Sequence, residues 1–541
     1  MTLTLLRRLV TGFRSVVASA RRSPRSRWWT TFGLASILCL SWTFATPLFA
    51  APDEPAHVVR AVSLARGTIL GHTVRHSTPA ERGSFRPIDL QGAYQVQLPE
   101  IYRSAYSAGC FAFKADTTAN CASFRGSGRS VPVLTTAGGL PPAYYAVVGL
   151  MARPLPDGPA AIYWMRVVGA LIAAALLASA VASIERTAHP GLAGAGIAVA
   201  VTPMVLFLSG VVNPSGVEIP AAVTVWATGV VLAREAPVRV DRRLVVRLAV
   251  SAGVLALARP LGPLWLLPIG ATLLAVVARG GWLHLWRSAA LRLGAAAVAA
   301  CAVAQVVWDA AAGTFNTATT NTVGVHIPVI DATRSAIGLA LTRFDQMIGV
   351  FGWLDTNSPA LTTFLWIAVI GTLLTVAALV GDGRLVAAAL VTAVLTVLVP
   401  VALEVPNVHA AGFFWQGRYG LPLAVGVPIL AGIAAATSRL PASLRTGRFL
   451  ALLGAALVVA QVLAFFQALR RYAVGAHGSL LLFWLHYSWA PPLTAPVVML
   501  AFTLAYIGFV AWLFTLQPVG PRGEVSPAST GVADRVGASA V

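Results

Sequence analysis

The sequence predicts an all-α integral membrane protein of about twelve transmembrane helices with a large first extracytoplasmic loop. Three observations carry this. The chain is 57% hydrophobic and only 11% charged, where a soluble domain carries about 25% charged residues. Apolar stretches of about 20 residues, each able to cross a hydrocarbon core of about 30 Å, recur from end to end. The net charge of +20 comes almost wholly from Arg spread over short loops, which is a topology signal rather than a nucleic-acid-binding face.

Residues 1–27 form a basic arm that ends at the first span, 28–50. This span is read as a retained anchor, because its run of about 23 residues exceeds the h-region of about 7–15 in a cleaved signal peptide. Further spans are placed at 160–184, 190–212, 214–233, 244–259, 261–278, 290–311, 360–380, 384–403, 419–437, 449–469 and 491–515. The connections 234–247, 279–292 and 438–448 are basic like the arm, which puts all four and both termini in the cytoplasm. The polytopic domain is thus 28–515, with outer loops 51–159, 312–359 and 404–418. The tail 516–541, rich in Pro, Gly and Ser without periodicity, reads as disordered.

This orientation sorts the acids outward. Asp53, Glu54, Glu100, Asp157, Asp355 and Glu404 all fall on the outer side, whereas a charge at mid-span costs about 2.5–3.5 kcal/mol. Any chemistry therefore belongs to the outer face. Cys110 and Cys121 bracket CFAFKADTTANC in the first outer loop, in a compartment that permits disulfides. A zinc site there would lack any CxxC or nearby His pair, so a disulfide is expected.

The stretch PLFAAPDEPAHVVRA, 47–61, places Asp53 and Glu54 directly after the first span. An acid followed by Pro55 fits a helix start, yet it accounts for one acid only. On a helix from this point Asp53, His57 and Arg60 share a face, a set suited to an anionic headgroup at the membrane boundary. Capping and function both remain open from spacing alone.

PDEPAH (52–57), LPPAYY (140–145), SGVVNPSG (209–216), ARPLGPLWLL (258–267), GVFGWLDT (349–356) and QGRYGLPL (416–423) occur in that order. In these segments the chain resembles the DUF2142 family of bacterial membrane proteins, assigned to the GT-C superfamily of integral-membrane glycosyltransferases. One departure is Ser215, which stands where the pattern has an acid, with Glu218 three residues on. The resemblance implies a GT-C-like fold in the bacterial cytoplasmic membrane, its active site facing outside. It implies transfer of a sugar from a polyprenyl-phosphate-linked donor to an envelope glycan or lipid acceptor.

Under that resemblance Asp53 is the catalytic carboxylate, with Glu54 as alternate base or, if a divalent cation is used, as its ligand together with Asp53. Arg418 and Arg259 hold the donor phosphate bidentately, joined by His57 and Arg60. Tyr144, Tyr145, Trp353 and Trp415 stack on sugar or belong to the aromatic belt of the interface. Asp355 binds sugar hydroxyls or caps the next span, Asn213 is a further substrate contact, and His409 reaches phosphate or has no special role. The partners implied are membrane lipid, the lipid-linked donor and the acceptor. Two rivals stay open: a non-catalytic envelope-assembly protein, and a transporter or flippase of lipid-linked saccharides.

Overall fold

Proline and short polar caps cut the apolar sequence into helices. The computed structural model describes residues 23–74, 93–105, 107–238, 240–315, 326–437, 447–480, 482–485 and 487–518. Most of the basic arm, of the connection 438–448 and of the tail expected to be disordered lies outside the described residues.

Helix α1 (Pro24–Ala45) starts at Ser23, whose hydroxyl accepts from the Ser26 N–H. After it come α2 (Glu54–Ala65), strands β1 (His72–Thr73), β2 (Tyr94–Pro99) and β3 (Ser130–Thr135), and α3 (Pro142–Ala152). The middle of the chain holds α4 (Pro159–Ile184), α5 (Pro190–Ala200), α6 (Pro203–Ser209), α7 (Ser215–Glu235), α8 (Arg242–Ala258), α9 (Gly262–Ala275), α10 (Gly281–Arg287) and α11 (Ala289–Ala311). Then follow α12 (Val329–Gly338), α13 (Ala340–Gly349), strands β4 (Val350–Phe351) and β5 (Thr356–Asn357), α14 (Ala360–Val380) and α15 (Gly383–Glu404). Helices α16 (Val408–Ala411), α17 (Gly417–Ala424), α18 (Gly426–Ala436), α19 (Gly447–Val474), α20 (Leu482–Leu485) and α21 (Ala495–Phe514) complete the chain. Pro sits in the first turn of α1 to α6, where its missing N–H costs nothing. Asp241, Ser288 and Asp382 cap α8, α11 and α15 through their side chains.

Among the described residues eight helices are long and apolar enough to cross a membrane, and α5 with α6 makes a ninth if that pair, bent by 69°, is one span. The chain is a multi-pass membrane protein. Helices stand at all twelve expected positions, but three fall short of a crossing by this measure. Helices α8 and α9 have 17 and 14 residues, or about 26 and 21 Å at 1.5 Å per residue. Helix α1 has 22 residues but is diluted by Trp, Thr and Ser. It is nonetheless built into the core: Trp42 is fully buried and meets the rings of Phe207, Phe351, Phe465 and Phe502. Helix α7 is enclosed on every side, while α11 is nearly bare.

The structure departs from the all-α expectation between α1 and α4. There β1, β2 and β3 form an antiparallel sheet in which Val96 pairs with Val133 and Leu98 with Val131. In YQVQLP the apolar residues are buried and Gln97 is exposed, an alternation of period two that a search for 20-residue runs passes over. The sheet lies against α2, tied by the Thr135 hydroxyl to the Ala56 carbonyl at 2.9 Å.

Cys110 and Cys121 are joined in a disulfide with Cα atoms 6.1 Å apart. The loop between them is clamped from α19 by buried Arg471, which donates to the carbonyls of Thr117 at 2.6 Å and of Phe111 and Lys114 at 2.8 Å. Closing so short a loop contributes up to about 3 kcal/mol in the chain-entropy model. Non-reducing peptide mapping of oxidised membranes is expected to yield the linked Cys110–Cys121 peptides, and recovery of both thiols free would contradict it.

Candidate functional site

The turn from α1 into α2 is organised by Glu54. Its carboxylate is fully buried and paired in a fork with Arg166 of α4: Nε to Oε1 at 2.7 Å and Nη2 to Oε2 at 2.6 Å. The backbone N–H groups of Phe49 and Val212 donate to the same two oxygens, each at 2.9 Å. Four donors fill the lone pairs of a carboxylate. Glu54 therefore has no acceptor direction left for a substrate proton or a cation, which corrects the role of alternate base or metal ligand. Arg166 spends its remaining donors on the carbonyls of Thr43, Thr46 and Pro47. Sequence reasoning missed Arg166, although a lone Arg inside IYWMRVVGALI is the signal of a functional or structural partner in a span.

Asp53 is differently placed. It occupies the N-cap position of α2 in left-handed conformation, φ 61°, and makes no side-chain cap bond. Its side chain, 47% exposed, turns to Arg418 of α17, with Nη2 at 2.5 Å from Oδ2. Arg418 is itself buried and also donates toward the Pro52 carbonyl. Burial works to raise the Asp53 pKa, but Arg418 and, further off, Arg259 outweigh it and hold the carboxyl below its ordinary value.

His57, one turn into α2, is buried and bonded at Nδ1 to the Tyr145 hydroxyl at 2.8 Å. Burial pushes its pKa down to about 3 despite Asp53, and Arg259 and Arg418 push the same way. The imidazole is neutral at physiological pH, so it offers a hydrogen bond rather than charge.

Arg259 ends α8 in extended conformation. Its Nη1 donates to Ser215 Oγ at 2.5 Å, and its guanidinium lies 4.8 Å from the centroid of the Tyr419 ring. Arg418 lies over the same ring at 5.2 Å. Asn213 links this side to the acid: Nδ2 donates to the Pro52 carbonyl at 3.3 Å, and Oδ1 accepts from the Ser215 N–H at 3.0 Å. Asp53, His57, Tyr145, Asn213, Arg259 and Arg418 thus gather around the start of α2, together with Ser215, Glu218 and Tyr419. Tyr419 lies inside a quoted motif but carries no charge to mark it.

The remaining expected residues are engaged elsewhere. Arg60 gives Nη1 to the Ile69 carbonyl at 2.5 Å and Nη2 to the Leu140 carbonyl at 3.0 Å. It pins the loops around α2 rather than joining the phosphate set. Asp355 accepts from the Phe113 N–H at 2.9 Å and the Thr356 hydroxyl at 2.9 Å, with Arg471 3.5 Å away, so it anchors the disulfide loop. Trp353 donates Nε1 to the Phe49 carbonyl at 3.0 Å. His409 is exposed and stacks on His326, and Tyr144 packs edge-on against Tyr145. No three His, Cys, Asp or Glu groups cluster as a metal ion requires among the described residues.

An apolar cavity of about 240 Å³ adjoins α17 beyond the first turn that carries Arg418. Leu421 and Ala424 line it with Ile370, Leu374, Val397 and Pro400 of α14 and α15, and Thr202 at the α5–α6 break closes one side. Arg343, its only charged lining residue, is neutralised by a buried pair with Glu404.

A family model described as a predicted membrane protein, DUF2142, matches residues 36–427. No curated protein and no solved structure matches the chain.

Proposed function

We propose a function for a chain that belongs to the DUF2142 family of membrane proteins: transfer of a sugar from a polyprenyl-phosphate donor to an envelope glycan or lipid acceptor, outside the bacterial cytoplasmic membrane. The observation that carries this reading is one half-exposed carboxylate, Asp53, set against the guanidiniums of Arg418 and Arg259 on a shared Tyr419 ring.

In this scheme Asp53 takes the proton of the acceptor hydroxyl as its oxygen bonds to C1 of the sugar. The bond from C1 to the phosphate oxygen breaks, and the polyprenyl phosphate leaves with its charge on the two arginines. Arg418 keeps Asp53 a weak base at rest. A phosphate arriving at Arg418 and Arg259 offsets that positive charge and raises the Asp53 pKa, so the base strengthens only when donor is present. The apolar cavity beyond Arg418 suits the hydrocarbon tail, since such cavities stay dry and take apolar guests.

The flippase reading draws on a different observation, the 69° break between α5 and α6 that borders the cavity, because transporters build sites on broken helices. Here the freed carbonyls of Val199 and Val201 are taken by Trp366 and Gln461, and the cavity offers no free charge to a hydrophilic cargo. Transfer is the better-supported reading. Mass spectrometry of envelope glycans and lipid-linked sugars tests it: deletion is expected to accumulate a prenyl-phosphate sugar and remove its sugar from the envelope. If neither pool changes, the reading is wrong.

The topology that accompanies this function has about twelve crossings, the short α8 and α9 included, with both termini inside. Single cysteines at Ser127 and Arg287, in a Cys39→Ala, Cys301→Ala background, check it with a membrane-impermeant maleimide. Ser127→Cys is expected to label in intact cells and Arg287→Cys only after lysis. The reverse pattern would invert the site.

A further inference from the structure

Glu218 is a carboxylate that the transfer scheme does not use. It lies in the first turn of α7, 1% exposed, inside the helix most completely enclosed by protein. A carboxylate in such a place needs a partner. Ser215 Oγ lies 3.3 Å from Glu218 Oε2 and 2.5 Å from Arg259 Nη1. The direction of these bonds follows from chemistry: a guanidinium only donates, so the Ser215 oxygen accepts from Arg259 and keeps its own proton to give. The single hydroxyl proton therefore points to Glu218, and its lone pair takes the Arg259 N–H. One oxygen thus bridges Glu218 of α7 and Arg259 at the end of α8.

The site needs this because two guanidiniums lie over one aromatic ring. Arg259 and Arg418 lie 4.8 and 5.2 Å from the Tyr419 centroid, and each guanidinium at so enclosed a place needs a partner to offset its charge. Arg418 is offset by Asp53. Arg259 sits in extended chain just after α8, and its offset is Glu218, one hydroxyl away. Ser215 is in turn held by its own N–H on Asn213, whose amide reaches the Pro52 carbonyl beside Asp53.

We propose that Ser215 and Glu218 are positioning residues that hold the Arg259 guanidinium over Tyr419 beside Arg418, so that two cations meet an incoming prenyl phosphate with their spacing already set. This rests on the reading of the site as a phosphate site.

The experiment measures binding of farnesyl phosphate to the full-length protein in detergent. Loss of a hydrogen bond to a charged group corresponds to about a tenfold or larger effect, so Glu218→Gln and Ser215→Ala should each weaken binding about tenfold. Ser215→Thr, which keeps the hydroxyl, should retain it. In an Arg259→Gln background Glu218→Gln should add nothing, because the group it positions is gone; a merely structural residue would still weaken binding there. Should Glu218→Gln not fold, Ser215→Ala carries the same cycle. Unchanged binding in Ser215→Ala, or equal losses with and without Arg259, overturns the relay while leaving the phosphate site standing. Wild-type protein that ignores farnesyl phosphate overturns both.

Discussion

Asp53→Asn should lower the rate of sugar transfer by about 10²–10⁴, the usual worth of a general base, in a protein that still folds. The substitution is gentle on the backbone. Position 53 has φ 61°, and Asn tolerates left-handed geometry as Asp does. No cap is lost, because the Asp53 side chain does not cap α2. What goes is the ion pair with Arg418, whose Asp53 side is half exposed to solvent. Arg418 keeps its contact to the Tyr419 hydroxyl. Arg418→Lys is expected to keep the fold but weaken donor use, since a point charge replaces the guanidinium fork. Envelope glycosylation restored to a deletion strain, with membrane levels checked by blot, reads out both variants. A well-expressed Asp53→Asn that restores the normal rate would instead favour the assembly-partner alternative.

Helix positions were legible because burial in lipid demands long apolar runs, and every expected span contains a helix. Helix lengths were less legible. Pro268 and Gly262 sit within a run that reads as 261–278, yet the helix there covers only Gly262–Ala275. The acidic pair was legible as a pair, but the division of labour inside it was not. Asp53 and Glu54 are neighbours in sequence, and the left-handed turn at 53 sends the first outward to Arg418 and leaves the second against Arg166. Both partners lie more than a hundred residues away. Arg60 shows the limit of helical spacing: it shares a face with His57, but its long side chain reaches the carbonyls of Ile69 and Leu140 instead. Asp355 likewise looked available until Phe113, Thr356 and Arg471 were seen around it. A motif names residues that matter, while only packing tells a site from its supports.

Glu54→Gln should therefore cost stability where Asp53→Asn costs rate. Both members of the Glu54–Arg166 pair have fully buried side chains, and removing one partner of such a pair leaves an uncompensated charge worth about 3–5 kcal/mol. The amide also replaces one acceptor by a donor, which faces the Phe49 or Val212 N–H that the carboxylate now satisfies. The corner from α1 into α2 would loosen, taking Asp53 with it. Replacing the pair together, as Glu54→Leu with Arg166→Leu, removes the stranded charge but abandons two N–H groups and the carbonyls of Thr43, Thr46 and Pro47. Recovery should be partial. Thermal melting of purified protein in detergent is the measurement, with Glu54→Gln expected well below Asp53→Asn and no divalent cation restoring it. A Glu54→Gln protein that melts like wild type yet transfers no sugar would return Glu54 to the chemistry, and rescue by added cation would make the acidic pair a metal site after all.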